Sequence, residues 1–221
     1  MDNILFIDKP KGISSFDVIR ELRKRLGIRK MGHAGTLDPL ATGLLIVGLG
    51  SGTAKLKDFF GLPKTYRLSV LLGKRTDTGD IEGTVIEETE VRNVLRNQAE
   101  QALSSMTGEL ELPIPSFSAA KYRGKPRYAY ARQGIAIPPK MRKTSIQRLG
   151  LLAIRRQDNE TILEVELECG SGTYARSVAE EIGRRLGVPA TLADLRRTNI
   201  GNIDVSQAKR LSEIGVANVP V

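Results

Sequence analysis

Apolar residues recur along this chain with two different periods, and the changes of period delimit most of its elements. Residues 4–7 form a short apolar run halted by Lys9-Pro10-Lys11-Gly12, which predicts a strand. Phe16, Val18, Ile19, Leu22 and Leu26 then repeat at helical spacing. Ser14 and Ser15 are placed to cap that helix, Gly27 is placed to end it, and its other face carries Arg20, Arg23, Lys24 and Arg25. Glycines crowd the next stretch (Gly32, Gly35, Gly43, Gly48, Gly50 and Gly52), a density that marks turns and close backbone approach. Within it, residues 44–47 read as a buried strand.

Farther on, Tyr66, Leu68, Val70 and Leu72 alternate onto one face of a strand, and residues 84–88 are expected to return antiparallel through the polar loop 73–83. Residues 94–106 predict a helix with Leu95, Ala99, Ala102, Leu103 and Met106 on one side and Gly108 closing it. After the breaks at Pro113 and Pro115, residues 146–154 and 162–169 predict strands joined through Asp158-Asn159. In the second of these, Leu163, Val165, Leu167 and Cys169 face in while Glu164, Glu166 and Glu168 face out. Thr173 is placed to cap a helix ending at Leu186, and a short strand and a helix over 206–214 finish the chain. Helices and strands alternate irregularly and hairpins are present. The expected fold class is therefore α+β (mixed α/β), with a central, largely antiparallel mixed sheet flanked by helices.

Charge narrows the functional classes. Thirty-four Lys and Arg against 25 Asp and Glu give a net charge of +9 and a pI near 9.8, the electrostatic footprint of a protein that meets a polyanion. A single cysteine, Cys169, and a single histidine, His33, exclude an intrachain disulfide and a zinc site built from Cys and His. The first residues carry an acid and only a short apolar run, unlike a signal or transit peptide, and no apolar run reaches the roughly 18 residues of a membrane span. The expectation is a cytoplasmic protein with no membrane partner.

Candidate chemistry concentrates in Gly32-His33-Ala34-Gly35-Thr36-Leu37-Asp38-Pro39-Leu40-Ala41-Thr42-Gly43. A residue before proline is disfavoured in a helix, so Asp38 belongs in a loop. Taken alone, it could simply close a turn with its own backbone. On the same terms Tyr66, Tyr174 and Leu195 read as core residues, and Arg176 as a surface partner of Glu180, four residues on. Gly48-Leu49-Gly50-Ser51-Gly52-Thr53 lacks the lysine and spacing of a phosphate loop, and Asp77, Asp80 and Glu82 miss the calcium-loop offsets.

The Asp38 segment resembles the signature of TruB-type pseudouridine synthases, and further blocks resemble that family in order along nearly the whole chain. They are Leu5-Phe6-Ile7-Asp8-Lys9-Pro10-Lys11-Gly12 with Ser14-Ser15, Lys64-Thr65-Tyr66, and the run from Leu72 to Asp80. Pro115-Ser116-Phe117-Ser118-Ala119 and Tyr130-Ala131-Arg132-Gln133-Gly134 follow, then the run from Cys169 to Arg176, and Leu195-Arg196-Arg197-Thr198. The resemblance implies a pseudouridine synthase fold forming one catalytic domain over 1–221, with a basic insertion at about 120–145 that clamps RNA. It also implies isomerisation of a uridine in the T-loop of tRNA, with the target base flipped out of the RNA. Asp38 would be catalytic, with Arg176 paired to it. Tyr66 would stack on the everted base, Tyr174 and Leu195 would line its pocket, and His33 would displace the base or fill its place. Lys121, Arg123, Lys125, Arg127, Arg132, Arg142 and Lys143, interleaved with Tyr122, Tyr128 and Tyr130, would hold the T-arm by charge and stacking. No cofactor, metal or guide RNA is expected, and the enzyme would act as a monomer. The C-terminal RNA-binding module carried by many bacterial members is expected to be absent.

The chemistry agrees with a single acid. Pseudouridylation breaks the ribose–N1 bond, turns the base and rejoins it through C5. One carboxylate suffices, as nucleophile or as base, and the sequence does not choose between them. A glycoside hydrolase would need a second flanking carboxylate. The remaining rival is a catalytically silent RNA-binding or tRNA-folding module.

Overall fold

A computed structural model describes residues 3–91 and 93–215. The chain begins with β1 (Ile4–Lys9), α1 (Ser15–Leu26), β2 (Met31–Ala34) and β3 (Thr42–Leu49). A 3-10 segment (Gly50–Leu56) leads into α2 (Lys57–Phe60) and β4 (Lys64–Leu72). Next come β5 (Lys74–Thr76), β6 (Val85–Glu88), α3 (Arg96–Ser104) and β7 (Gly108–Pro113). The insertion holds β8 (Lys121–Tyr122), β9 (Lys125–Pro126) and α4 (Arg127–Ala131). β10 (Met141–Gln157), β11 (Glu160–Cys169), α5 (Ala175–Leu186) and β12 (Ala190–Ile200) follow, and then β13 (Ile203–Asp204) and β14 (Lys209–Arg210). Met1–Arg67 with Leu195–Val221 makes one compact unit and Leu68–Asp194 a second, so β4 and β12 each supply residues to both.

In the first unit β1 runs antiparallel to β3 and parallel to β14, β2 adds antiparallel to β3, and β12 meets β3 in parallel through Arg196 and Arg197. β3 is buried on both faces. Leu45, Val47 and Leu49 pack with Ile7, Val18, Ile19 and Leu22, while Leu44 and Ile46 pack with Ala34, Leu56 and Ile200. That double burial explains its unbroken apolar run where a half-exposed strand would alternate. α1 starts at a reciprocal capping box between Ser14 and Asp17, which holds the Asp17 carboxyl at about 2, and ends at Gly27 in the left-handed region at φ 68°.

The second unit follows the strand order β4-β11-β10-β7. β11 alternates buried and half-buried residues along its length, as its pattern predicts. It joins β10 at Asp158 and Asn159, both at positive φ, a tight turn whose twist suits a hairpin. α5 buries Val178, Ala179 and Ile182. The mixed α+β class with a large mixed sheet is the expected one.

Several local expectations are overturned. Strand 85–88 does not return against β4; it pairs with β5, formed inside the loop. Phe16 and Leu95 are not core residues, being 56% and 57% exposed. Helix α3 stops at Ser104 with Ser105 as its cap, and Gly108 opens β7 instead of closing the helix. Thr173 does not cap α5; Tyr174 precedes it without a side-chain cap, and the Thr173 hydroxyl donates to the Gly170 carbonyl at 2.9 Å. The strand that follows α5, β12, spans 11 residues and is not short. The segment 206–214 holds two 3-10 turns and the two-residue β14 in place of a helix.

Candidate active site

Asp38 lies half-buried in the loop between β2 and β3, and the residues around it are fastened from several sides. The Ser15 hydroxyl accepts from the Leu37 amide at 2.8 Å and donates to the Leu37 carbonyl at 3.0 Å. The Gly12 amide donates to the Pro39 carbonyl at 2.8 Å, and the Ala41 amide donates back to the Asp38 carbonyl at 3.0 Å. Lys9, fully buried, sends its ammonium to the carbonyls of Ala41 at 2.6 Å and Pro10 at 2.9 Å, with Pro39 at 3.4 Å. Charged donors make hydrogen bonds about twice as strong as neutral ones, so this lysine is the main fastener of the loop. The carboxylate of Asp38 is thus carried on backbone tied at Leu37, Pro39 and Ala41, the kind of preorganisation a reacting group needs.

Neither Lys9 nor Ser15 was assigned this work from sequence. The signal for Lys9 was present. Leu5, Ile7 and Lys9 are the inward positions of β1, so strand alternation sets a lysine on a core face. Ser15 read as a cap, and Ser14 alone takes that part.

A second fastener is Arg197, 1% exposed, whose guanidinium donates to the carbonyls of Leu44 at 2.7 Å and Gly35 at 3.1 Å. β3 and β12 touch most closely at Gly43: a Cβ there would lie 2.2 Å from the Arg197 carbonyl, and φ is +99°. His33, on β2, is largely buried, and its Nδ1 has no hydrogen-bond partner among the described residues. Burial, and then the charge of Arg197, push its pKa below the usual 6.5, so the imidazole is neutral. Tyr66 is half-buried on β4, and Leu195 is buried at 6% exposure, its carbonyl accepting from the Thr42 hydroxyl at 3.4 Å. Arg196 grips Asp8 through two hydrogen bonds of 2.8 and 3.0 Å.

In the second unit Arg176, at the start of α5, is buried at 5% exposure and is not a surface residue. Its guanidinium donates to the carbonyls of Thr78 and Phe117, both at 2.9 Å, and its Nε lies 3.7 Å from Asp80. Glu180 is no simple exposed partner either, since burial raises its pKa more than Arg75 and Arg176 lower it. Tyr174 is half-buried.

Within the basic insertion Lys121, Arg123, Lys125, Arg132, Arg142 and Lys143 are exposed, with Arg123 over the Tyr122 ring and Arg132 over Tyr128. Arg127 corrects the expected set: it is 2% exposed and donates to the Pro138 carbonyl at 3.0 Å, so it braces the insertion from inside. Among the described residues no group of His, Cys, Asp and Glu is arranged to hold a metal ion, and no helix is long and apolar enough to cross a membrane.

The family model for the TruB family pseudouridylate synthase (N terminal domain) matches residues 23–175. A tRNA pseudouridine synthase B from Leifsonia xyli subsp. xyli is 42% identical over 214 residues, covering 96% of this chain and 71% of that protein. One from Endomicrobium trichonymphae is 39% identical over 218 residues, covering 99% of this chain and 93% of that protein. Among solved structures, a chain of an H/ACA RNP bound to a substrate RNA containing 2'-deoxyuridine superposes with a TM-score of 0.71 at 22% identity. A chain of a Cbf5-Nop10-Gar1 complex gives 0.70 at 24%. This chain spans 52% and 53% of those two, and the likeness shows a shared fold.

Proposed function

The chain belongs to the TruB family of pseudouridylate synthases, and on that footing we propose that it isomerises a uridine in the T-loop of tRNA, without guide RNA, using Asp38 as the reacting carboxylate. The observation that carries this reading is the fastening of the Asp38 loop by Lys9, Ser15 and Gly12, which holds one acid in a fixed place. The relatives named tRNA pseudouridine synthase B favour tRNA as substrate.

In the reaction the C1′–N1 bond breaks and a C1′–C5 bond forms. The proton on C5 leaves and N1 gains one, so composition is unchanged. Asp38 acts either by adding to the ribose or base, or by abstracting a proton to start the exchange. The uridine must first leave its stack, at a cost of a few kcal/mol. The reading assigns Tyr66 to stack on the everted base, Tyr174 and Leu195 to enclose it, and His33, neutral, to displace it. Arg176 serves the Asp38 carboxylate, and the exposed cations of the insertion hold the T-arm.

The test is incubation with an unmodified tRNA transcript and with a T-arm hairpin, without guide, followed by mapping of pseudouridine. One modified T-loop position is expected in both, with no free uracil. Asp38→Ala should abolish product while RNA still binds. Released uracil would mean a hydrolase. Binding without any product from the unaltered protein would mean a binding module, and a requirement for guide RNA would refute stand-alone action.

A further inference from the structure

Helix α1 carries a feature that the proposed reaction leaves unused. Phe16, Arg20, Arg23 and Lys24 stand at i, i+4, i+7 and i+8, the spacing that usually marks a core-facing stripe. Here that stripe faces out except at Arg23, which is half-buried with its guanidinium donating to the Met31 carbonyl at 3.4 Å. Phe16 is 56% exposed, the Arg20 side chain 67%, and Lys24 is exposed. The guanidinium carbons of Arg20 and Arg23 lie 5.9 and 5.8 Å from the centroid of the Phe16 ring, within cation–π range. Residues 11–30 hold seven Lys and Arg against Asp17 and Glu21. Together with the insertion, where residues 121–143 contain eight cations and no acid, they carry more than the whole net charge, so the rest of the chain is net acidic.

This stripe begins beside the loop that bears Asp38. Ser15, the residue before Phe16, is bonded to both the amide and the carbonyl of Leu37. The 12 residues of α1 then lead away from that point over about 18 Å at 1.5 Å per residue.

We propose that Phe16, Arg20 and Lys24, with the half-buried Arg23 backing the Phe16 ring, form a second tRNA-binding surface that grips backbone phosphates of the RNA flanking the target uridine. The ring of Phe16 lies against both guanidiniums, a contact that restrains Arg20, so less side-chain freedom is lost when phosphates dock. Arg20 also pairs with Asp17 but keeps further N–H donors for a phosphate. The inference rests on the reading of tRNA as substrate, and its test separates the two.

Arg20→Gln with Lys24→Gln alters exposed positions only, so folding is preserved. Losing two phosphate contacts should raise KM for tRNA about fivefold with kcat at saturating tRNA little changed, and should lower the slope of log Kd against log salt by about 1.5. Phe16→Leu keeps bulk but loses the ring, and should raise KM about threefold, with Phe16→Tyr restoring it. A purely structural role would move the melting temperature and leave the salt slope alone. A double variant that binds tRNA with unchanged Kd and salt slope overturns the proposal and leaves an acidic protein as the partner to seek. If the unaltered protein makes no pseudouridine, the functional reading fails, yet a reduced slope in the variant would still establish the surface.

Discussion

Lys9 and His33 show how single side chains govern the Asp38 loop through charge state. Lys9 is buried and meets three backbone carbonyls, so Lys9→Met leaves those oxygens in a dry interior without their charged donor. Hydrogen bonds to charged groups contribute about 1.5–3 kcal/mol, and a loss of that order is expected in urea unfolding. Pseudouridine formation at saturating tRNA should fall at least about tenfold, since misplacing a reacting group by about 1 Å can cost a hundredfold. Unchanged turnover in Lys9→Met would show that the loop holds its shape without the lysine. His33 behaves oppositely. Its folded-state pKa is depressed below 6.5, so between that lowered value and 6.5 the unfolded chain binds more protons. Stability should therefore be complete above about pH 6.5 and decline as pH falls below it. Unfolding free energies at pH 5 and pH 8 should differ less in His33→Gln than in the unaltered protein; equal differences would deny the buried imidazole this role.

At the scale of elements, the contact between β3 and β12 is set by the absence of a side chain. A methyl at Gly43 would lie 2.2 Å from a backbone oxygen that has no room to yield, in a conformation that L residues avoid. Gly43→Ala should cost more than about 2 kcal/mol, read as a lower urea midpoint, with activity lost in proportion to misfolding or more. A variant as stable as the parent would mean the strands can separate there freely. The sequence made some elements legible and hid others for physical reasons. β11 was plain because one face is dry and the other wet, and α1 because both caps and the core stripe agree. The pairing of β5 with β6 was hidden because three- and four-residue strands leave no period to detect. Residues 205, 208, 211 and 214 recur every third position, which suits 3-10 turns of three residues better than an α-helix. For the candidate site, the loop that carries Asp38 was legible from its glycines and proline, while its chemistry came only as what the family blocks imply. The fasteners Lys9, Ser15 and Arg197 were not, because whether a polar side chain points inward depends on tertiary packing. Arg127 failed for the same reason, since a cation in a basic run gives no sign of being buried.

Across the whole molecule, charge and order are unevenly spread. The insertion is held by two two-residue strands and a five-residue helix, with few buried apolar residues, whereas β10 and β11 form a long ladder. Segments of that kind open at low free energy. Backbone amides of residues 121–140 should exchange with solvent much faster than those of β10 and β11, and tRNA should slow them selectively. Protection of the insertion equal to that of the hairpin in the RNA-free protein would show it to be rigid already.

One detail of the hairpin makes such motions observable. Cys169, at the end of β11, is the chain's sole cysteine and is 1% exposed. A thiol introduced at Arg123, whose side chain is exposed at the tip of the β8–β9 turn, would be the only one within reach of a maleimide dye in the native state. Fluorescence from that single reporter would then follow the arm in real time as RNA arrives and departs, with no background labelling to remove.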